Sequence, residues 1–189
     1  MKKILFNDKC CLTQAVLNGS KTMTRRVLRE GTPLGNWEET TKHLPYKVGD
    51  IVAIAQPYKD IIECLPKYSD AILDEVGIPR KEFKAGWTNK MFVKAELMPH
   101  HIRITDVKVE RLQSISDDDI MREGIRKESF AGGCMFCYNK AYIRNGNRRI
   151  EPIYNSTPRR AFASLMYKII GGRTWESNPW VGAYSFELV

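Results

Sequence analysis

A basic segment near the start of the chain contains the residue types from which a nucleophile and its base can be built. Lys21, Thr24, Arg25 and Arg26 lie in the stretch Lys21–Arg29. A threonine hydroxyl is a weak nucleophile unless a base lies beside it, and a lysine is such a base only where burial or nearby positive charge lowers its pKa. Arg25 and Arg26 could supply that charge. The alternative is a solvated basic face with Thr24 as a strand residue. Spacing alone does not decide, because positions three apart share a face in a helical turn but not in a strand.

A second group of residues, late in the chain, has the composition of an RNA-binding surface. Arginine contacts phosphates, and aromatic rings stack on unpaired bases. The alternative is a flexible basic loop. The residues concerned are Arg144, Arg148, Arg149, Arg159 and Arg160, with Tyr138, Tyr142 and Tyr154 interleaved.

The cysteines and histidines do not form a recognisable metal-binding pattern. Cys134 and Cys137 make a single C-x-x-C, whereas structural zinc takes four ligands. A second pair would have to come from elsewhere, such as Cys10 and Cys11. We therefore expect two partly buried thiols and predict no metal and no other cofactor. The histidines, His43, His100 and His101, show no ligand spacing.

Composition points to a single intracellular domain. The chain has 189 residues, a formal net charge of +8 and a sequence pI of about 9.3, which favours anionic partners such as nucleic acid, although a solvated surface explains the charge as well. The apolar run Ile4–Phe6 is too short for a signal peptide, and no stretch approaches the ~18 apolar residues of a membrane helix. The cysteine count of 5 is odd, which is typical of a reducing compartment. We expect a cytoplasmic protein without a membrane partner, and the sequence leaves its oligomeric state open.

Hydrophobic periodicity and capping residues predict an α+β fold, a small mixed β-barrel with helices packed at its mouth. We expect one domain over 1–189, with insertions at about 58–90 and 126–157. The expected strands are 4–6, 51–54, 102–110 with a bulge, and 180–188. The expected helices follow Asn7 or Asp8, Ser116 and Thr157, short helices occupy the first insertion, and loops occupy 30–46 and 126–157.

Four short blocks of this sequence, taken in order, resemble the ASCH family, and in particular its phage-like and bacterial members with long insertions. In the first block Gly19, Lys21 and Arg26 match the family pattern, and Thr24 stands where a glutamate is usual. The other blocks are Val48–Val52, Met98–Ile125 and residues 161–189, with Asn178-Pro179-Trp180-Val181 in the last. Together the blocks cover well over half of the chain. The resemblance implies a PUA-like fold and a basic cleft for RNA or a modified nucleoside.

The resemblance also implies catalytic residues. Some small bacterial members with threonine in the glutamate position are amidohydrolases acting on N4-acylated cytidine, and their lysine, threonine and glutamate match Lys21, Thr24 and Glu123. Glu123 would relay a proton to the leaving amine or orient the nucleoside. Two alternatives remain open: RNA binding without catalysis, and a phage- or mobile-element-derived interaction protein with a degenerate cleft. The predicted ligand-binding residues are Gly19, Lys21, Arg25, Arg26 and His100, with Arg148 and Arg149 added for their charge.

Overall fold

The computed structural model describes residues 1–64 and 85–189, which form a mixed α+β fold, as predicted. The helices are α1 (Leu12–Leu17), α2 (Trp37–His43), α3 (Tyr58–Cys64), α4 (Asp117–Arg122), α5 (Pro158–Ile170) and α6 (Thr174–Ser177). The strands are β1 (Lys2–Ile4), β2 (Met23–Val27), β3 (Ile51–Ile54), β4 (His101–Arg111), β5 (Arg126–Phe130), β6 (Gly133–Arg144), β7 (Asn147–Asn155) and β8 (Trp180–Leu188). Short 3-10 helices lie at Asp8–Cys10, Lys90–Phe92, Ala95–Leu97 and Leu112–Ser114. None of the helices in these two ranges is long and apolar enough to cross a membrane.

The chain forms two compact units, and the first comprises residues 1–6, 51–103 and 188–189. In this unit β3 pairs with β1 in parallel and with β4 in the antiparallel sense, where Val52 lies opposite Ile102. Strand β3 is apolar, as a strand between two neighbours requires. Its unit has a core of buried side chains, namely Ala53, Ala55, Tyr58, Ile61, Val93, Ala95 and Met98.

The second unit comprises residues 7–50 and 104–187. Here β8 lies between β4 and β2, and its antiparallel register with β2 places Thr24 opposite Tyr184 and Arg25 opposite Ala183. Residues 181–186 are all buried, so β8 is covered on both faces. Other buried apolar residues of this unit are Leu12, Val16, Ile120, Ile125, Phe162 and Leu165.

The five-stranded sheet has β1 and β2 as its edge strands. Each of them has one hydrogen-bonded neighbour, so no closed barrel is shown by the part of the chain that the structure describes. The α+β class is therefore confirmed at the level of mixed helices and sheets. The PUA-like barrel and the single domain over 1–189 stay predictions.

Capping residues begin α4 and α5 where the sequence predicts them, whereas Asn7 caps the 3-10 helix Asp8–Cys10 and α1 begins at Leu12 without a side-chain cap. The Ser116 hydroxyl accepts a hydrogen bond from the Asp119 backbone N–H at the start of α4. The Thr157 hydroxyl accepts from the Arg160 backbone N–H, and Pro158 is the first residue of α5. Each bond satisfies a backbone donor that the first helical turn leaves unpaired.

The loop predicted at 126–157 is wrong, because this segment forms a three-stranded antiparallel sheet in the order β5-β6-β7. Strands β6 and β7 are joined by Asn145 and Gly146, both at positive φ, at 52° and 74°. An Asn-Gly pair at positive φ is the preferred two-residue turn of a β-hairpin. The Asn-Gly pair in the sequence was the signal for this hairpin, and the richness in Gly, Asn and Arg concealed it.

The loop predicted at 30–46 is also wrong in part, because it contains α2. Asn36 accepts a hydrogen bond from the Glu38 backbone N–H at 2.9 Å, and acidic residues occupy the first turn. Helix α3 matches the first of the short helices predicted within 58–90. The continuation of that prediction, at Leu65, Ala71, Ile72 and Val76, lies outside the described residues.

Candidate functional site

Lys21 and Glu123 are in direct contact in the second unit. Lys21 follows the end of α1, where its backbone N–H donates to the Ala15 carbonyl at 2.8 Å, and Glu123 directly follows α4. The Lys21 ammonium donates to Glu123 Oε2 at 2.5 Å and to the Glu123 carbonyl oxygen at 2.9 Å. The two side chains are 1% and 2% exposed, so the ion pair lies in the interior of the unit.

Arg25 joins Glu123 to two further carboxylates. Its Nη1 donates to Glu123 Oε1 at 3.0 Å and its Nη2 to Asp119 Oδ2 at 2.9 Å. Its Nε and Nη2 donate to Glu110 Oε1 at 2.8 and 2.6 Å. A planar guanidinium with several donors suits such a bridge, whereas an ammonium group is a point charge.

Lys108 completes the arrangement at its more exposed edge. Its ammonium donates to Asp119 Oδ2 at 2.7 Å and lies 3.4 Å from Glu110 Oε2. Cations and carboxylates are equal in number in this group, so its buried charges compensate one another, as burial requires. We refer to these residues as the acid–base cluster, namely Lys21, Arg25, Lys108, Glu110, Asp119 and Glu123.

The surroundings of Lys21 favour its neutral form. Burial lowers the pKa of its ammonium group below the usual value, Glu123 opposes this effect, and the positive charges of Arg26 and Arg25 add to it. A lysine with a lowered pKa is able to accept a proton nearer neutral pH than a lysine in water. The cluster therefore contains a base together with a carboxylate that touches it.

The partners of Asp119 favour its charged form. Burial acts to raise the pKa of its carboxyl group, but hydrogen bonds from Lys108 and Arg25 and their charges hold that pKa below its usual value. Asp119 therefore stays ionised at a lower pH than an aspartate in water does.

Thr24 and Arg26 lie on the other face of β2. Side chains alternate along a strand, and Arg25, whose Nη1 also donates to the Met23 sulfur at 3.1 Å, points toward the acid–base cluster. Thr24 is buried and lies opposite Tyr184 in the register of β2 and β8. The structure therefore brings Lys21, Arg25 and Glu123 together and places the predicted Thr24 and Arg26 on the opposite face of the strand.

That opposite face carries two tyrosines that the sequence did not single out. The rings of Tyr46 and Tyr184 meet edge to face with centroids 5.4 Å apart. Burial raises the pKa of both phenols, and the charge of Arg26 acts to lower each of them. The Tyr184 hydroxyl is buried and has no hydrogen-bond partner among the described residues.

Tyr184 packs directly over Gly182, its neighbour on the same face of β8. A Cβ at Gly182 would lie 2.6 Å from the Tyr184 hydroxyl oxygen, and no positive φ is involved. The glycine is needed here for close approach of a ring. We refer to Thr24, Arg26, Tyr46 and Tyr184 as the tyrosine face.

A cavity of about 130 Å³ lies beside the backbone of the Lys21–Glu123 pair. Ser20 and Gly124, the chain neighbours of the two residues, line it. It is smaller than the roughly 300 Å³ at which small-molecule pockets begin, so it suits a single polar group or base edge. The rest of its lining comes from Cys10, Cys11, Leu12, Gln14, Ala15, Asn18, Arg126, Asn139, Arg148 and Ile150.

The other predicted ligand-binding residues are not gathered at the cluster. Gly19 is exposed and ends α1 with φ of 75°. His100 belongs to the first unit, where its carbonyl accepts from the Ile54 backbone N–H at 2.9 Å. Arg148 and Arg149 are neighbours in β7 and point to opposite faces of that strand.

The late arginines and tyrosines have separate roles as well. Arg159 donates to the carbonyl oxygens of Gln113 and Ile115 and so ties α5 to the segment after β4. Tyr138 is buried with its hydroxyl 3.0 Å from that of Ser164, and the Tyr154 hydroxyl donates to Glu128 at 2.6 Å. Only part of this predicted surface is therefore available to a ligand.

The cysteine pair of the C-x-x-C lies in a strand and is divided between exposed and buried positions. Cys134 is exposed, while Cys137 is buried, as are Cys10 and Cys11. Within residues 1–64 and 85–189, no group of three or more His, Cys, Asp or Glu side chains is placed to hold a metal ion.

Comparison with known proteins adds no relative. No family model, no curated protein and no solved structure matches this chain. The interpretation of the site therefore depends on its own geometry and on the residues of the ASCH pattern.

Sequence reasoning missed the carboxylates that hold Arg25. Asp119 occurs in the acidic first turn of α4, where a carboxylate is expected because it interacts favourably with the helix dipole. Glu110 belongs to β4. Neither position is marked by spacing from Arg25. The acidic run Asp117–Asp119 next to a buried helix was the available signal.

Proposed function

We propose that this chain is an ASCH-type protein that binds RNA or a modified nucleoside, and that the Lys21–Glu123 contact marks its site. The observation that carries the proposal is that a lysine and a glutamate 102 positions apart, the pair that the ASCH pattern implies, touch each other in a buried setting. The cavity beside this pair offers amide and hydroxyl groups from Gln14, Asn18 and Ser20. Such groups are the usual means of fixing a base edge.

Direct binding measurements test this proposal. Calorimetric titration of the protein with cytidine, N4-acetylcytidine and a short single-stranded RNA should show binding of at least one of them. Glu123→Gln keeps the size of the side chain and removes its charge, and we expect it to weaken that binding by at least tenfold. Glu39→Gln removes a carboxylate from an exposed ion pair with Lys42 and should leave binding unchanged.

Two results would contradict the proposal. One is a folded wild-type protein that binds none of the three ligands. The other is a Glu123→Gln protein that remains folded by circular dichroism and binds as the wild type does. The second result would leave the acid–base cluster as a purely structural ion network.

A second candidate, hydrolysis of N4-acylated cytidine, is favoured by the lowered pKa of Lys21. In this reaction neutral Lys21 accepts the hydroxyl proton of Thr24 while the Thr24 oxygen attacks the acyl carbonyl. The C–N4 bond breaks, the N4 amine leaves as cytidine with a proton relayed through Glu123, and the acyl group is held as a threonine ester. Water then cleaves the ester, which releases the carboxylic acid and restores Thr24 and Lys21.

Variants of Thr24 and Lys21 decide this candidate. Incubation with N4-acetylcytidine, followed by chromatography for cytidine, should show release by the wild type and by Thr24→Ser. We expect Thr24→Ala and Lys21→Ala to lose release by at least a hundredfold. Full release by a folded Thr24→Ala protein would exclude Thr24 as the nucleophile. That outcome would agree with the position of Thr24 on the opposite face of β2 from Arg25. No release by the wild type would reject the reaction and leave nucleoside binding.

A further inference from the structure

The β6–β7 hairpin presents one basic face that neither proposal uses. In the register of the hairpin Tyr142 lies opposite Arg149, Arg144 opposite Asn147, and Lys140 opposite Glu151. Directly opposite residues in an antiparallel pair share a face of the sheet, and positions two apart on one strand share it too. We call these residues the hairpin face, namely Lys140, Tyr142, Arg144, Asn147, Arg149 and Glu151.

The opposite face of the same hairpin borders a cavity of the second unit. Arg148 and Ile150 line the cavity beside α1, together with Asn139. Arg148 also donates to the Asp8 carbonyl oxygen at 3.3 Å. Arg148 thus borders this cavity from one face of the hairpin, and its neighbour Arg149 projects from the other face, both of them exposed.

The charges of the hairpin face are free for an anionic partner. Arg144 and Arg149 are exposed, and neither has an ion-pair partner among the described residues. Glu151 is the one acidic residue of the face, and it lies 3.8 Å from Lys140. Tyr142, half-buried, stands beside Arg149, which places an aromatic ring next to a cation.

We propose that the hairpin face is a docking surface for single-stranded RNA. Arg144 and Arg149 contact successive phosphates, and the Tyr142 ring stacks on an unpaired base, which is how such surfaces hold single strands. The choice of RNA as the nucleic acid rests on the proposed function, whereas the position of the surface rests on the charges and register of the hairpin. The surface would hold the strand outside the Lys21–Glu123 site.

An exposed lysine outside the hairpin provides a charge-matched control. Arg149→Ala and Lys42→Ala each remove one positive charge, but Lys42 lies in α2, where it pairs with Glu39. Binding of a fluorescent oligouridine is measured by anisotropy over a series of KCl concentrations. Each lost phosphate contact lowers the slope of log K against log salt by about 0.7 for single strands. We therefore expect a decrease of about 0.7 for Arg149→Ala, about 1.4 for Arg144→Ala with Arg149→Ala, and no change for Lys42→Ala.

Tyr142→Ala should behave differently from the arginine variants. Loss of one stacked base weakens binding by about tenfold, with the salt slope unchanged, because no phosphate contact is removed. Thermal unfolding of each variant shows whether the hairpin has kept its fold. Equal salt slopes for Lys42→Ala and Arg149→Ala would overturn the docking surface, and equal affinity for a duplex RNA would overturn its preference for single strands.

Free N4-acetylcytidine separates this inference from the proposed function. The nucleoside carries no phosphate, so the arginine variants should bind it as tightly as the wild type does. If the wild type hydrolyses it, the arginine variants should do so at the same rate. If oligouridine binding is lost in Arg149→Ala while nucleoside binding persists, the hairpin face is supported whatever the chemistry of Lys21. Loss of nucleoside binding in Arg149→Ala would contradict a surface that lies outside the site.

Discussion

The Lys21 ammonium and the Glu123 carboxylate form a buried ion pair of 2.5 Å, and the same carboxylate accepts a second hydrogen bond from Arg25. The Glu123 carboxylate therefore keeps one positively charged partner when either Lys21 or Arg25 is replaced. Because Lys21 and Arg25 share this carboxylate, their contributions to stability should be coupled.

Removal of the Lys21 hydrogen bonds to Glu123 should destabilise the protein without unfolding it. In Lys21→Met the Glu123 carboxylate keeps Arg25 but loses its closest partner in a setting with little water. Loss of one member of a buried pair costs about 3 kcal/mol of unfolding free energy, which urea denaturation measures. Lys42→Met removes a lysine from an exposed ion pair and should change stability by less than about 0.5 kcal/mol. Equal effects of the two substitutions would show that the buried pair is not a stabilising contact.

Stability should fall in acid because of Asp119. Its pKa is lower in the folded protein than in the unfolded chain, so the folded state binds fewer protons. Its contribution is complete above the unfolded value of about 3.9 and is lost as pH falls through the folded pKa. Urea midpoints measured between pH 2 and pH 6, a range set by about two units on either side of that value, should decline toward the acid end. Asp119→Asn should flatten this decline, whereas Asp118→Asn, on the exposed side of the same turn, should not.

Lys21 should add a dependence of the same sign at high pH. Its pKa is lower in the folded protein than in the unfolded chain, so between its folded pKa and the ordinary value near 10.5 the unfolded state binds more protons. Stability contributed by this residue should therefore rise with pH in that window. The Lys21→Met protein provides the control, because it should lack this rise.

Tyr138 and Tyr184, both buried, should respond differently to loss of their hydroxyl groups. Tyr138→Phe removes a hydrogen bond to Ser164 and should cost about 1 kcal/mol. Tyr184→Phe removes a buried hydroxyl that has no hydrogen-bond partner among the described residues, so this variant should be at least as stable as the wild type in thermal unfolding. A loss of about 1 kcal/mol in Tyr184→Phe would reveal a hydrogen bond at the tyrosine face.

The local elements of this protein could be predicted from sequence because their causes lie within a few residues. Ser116 and Thr157 cap α4 and α5 by accepting bonds from backbone groups in the next turn. The apolar residues of β3, β4 and β8 identify those strands in the same way. The hairpin of β6 and β7 is also encoded locally, in its Asn145-Gly146 turn. The high content of Gly, Asn and Arg in this segment is equally typical of a loop, which is why the sequence predicted one.

The sequence by itself determined the basic charge, the caps of α4 and α5 and the strands β3, β4 and β8, and its resemblance to the ASCH family pointed to Lys21 and Glu123. Only the tertiary structure decided that these two residues touch, that Arg25 bridges three carboxylates, and that Thr24 and Arg26 lie on the opposite face of β2 from Arg25. The physical reason is that strand alternation and sheet register assign each side chain to a face. Contacts between residues 102 positions apart then depend on which faces the packing of α4 against β2 brings together.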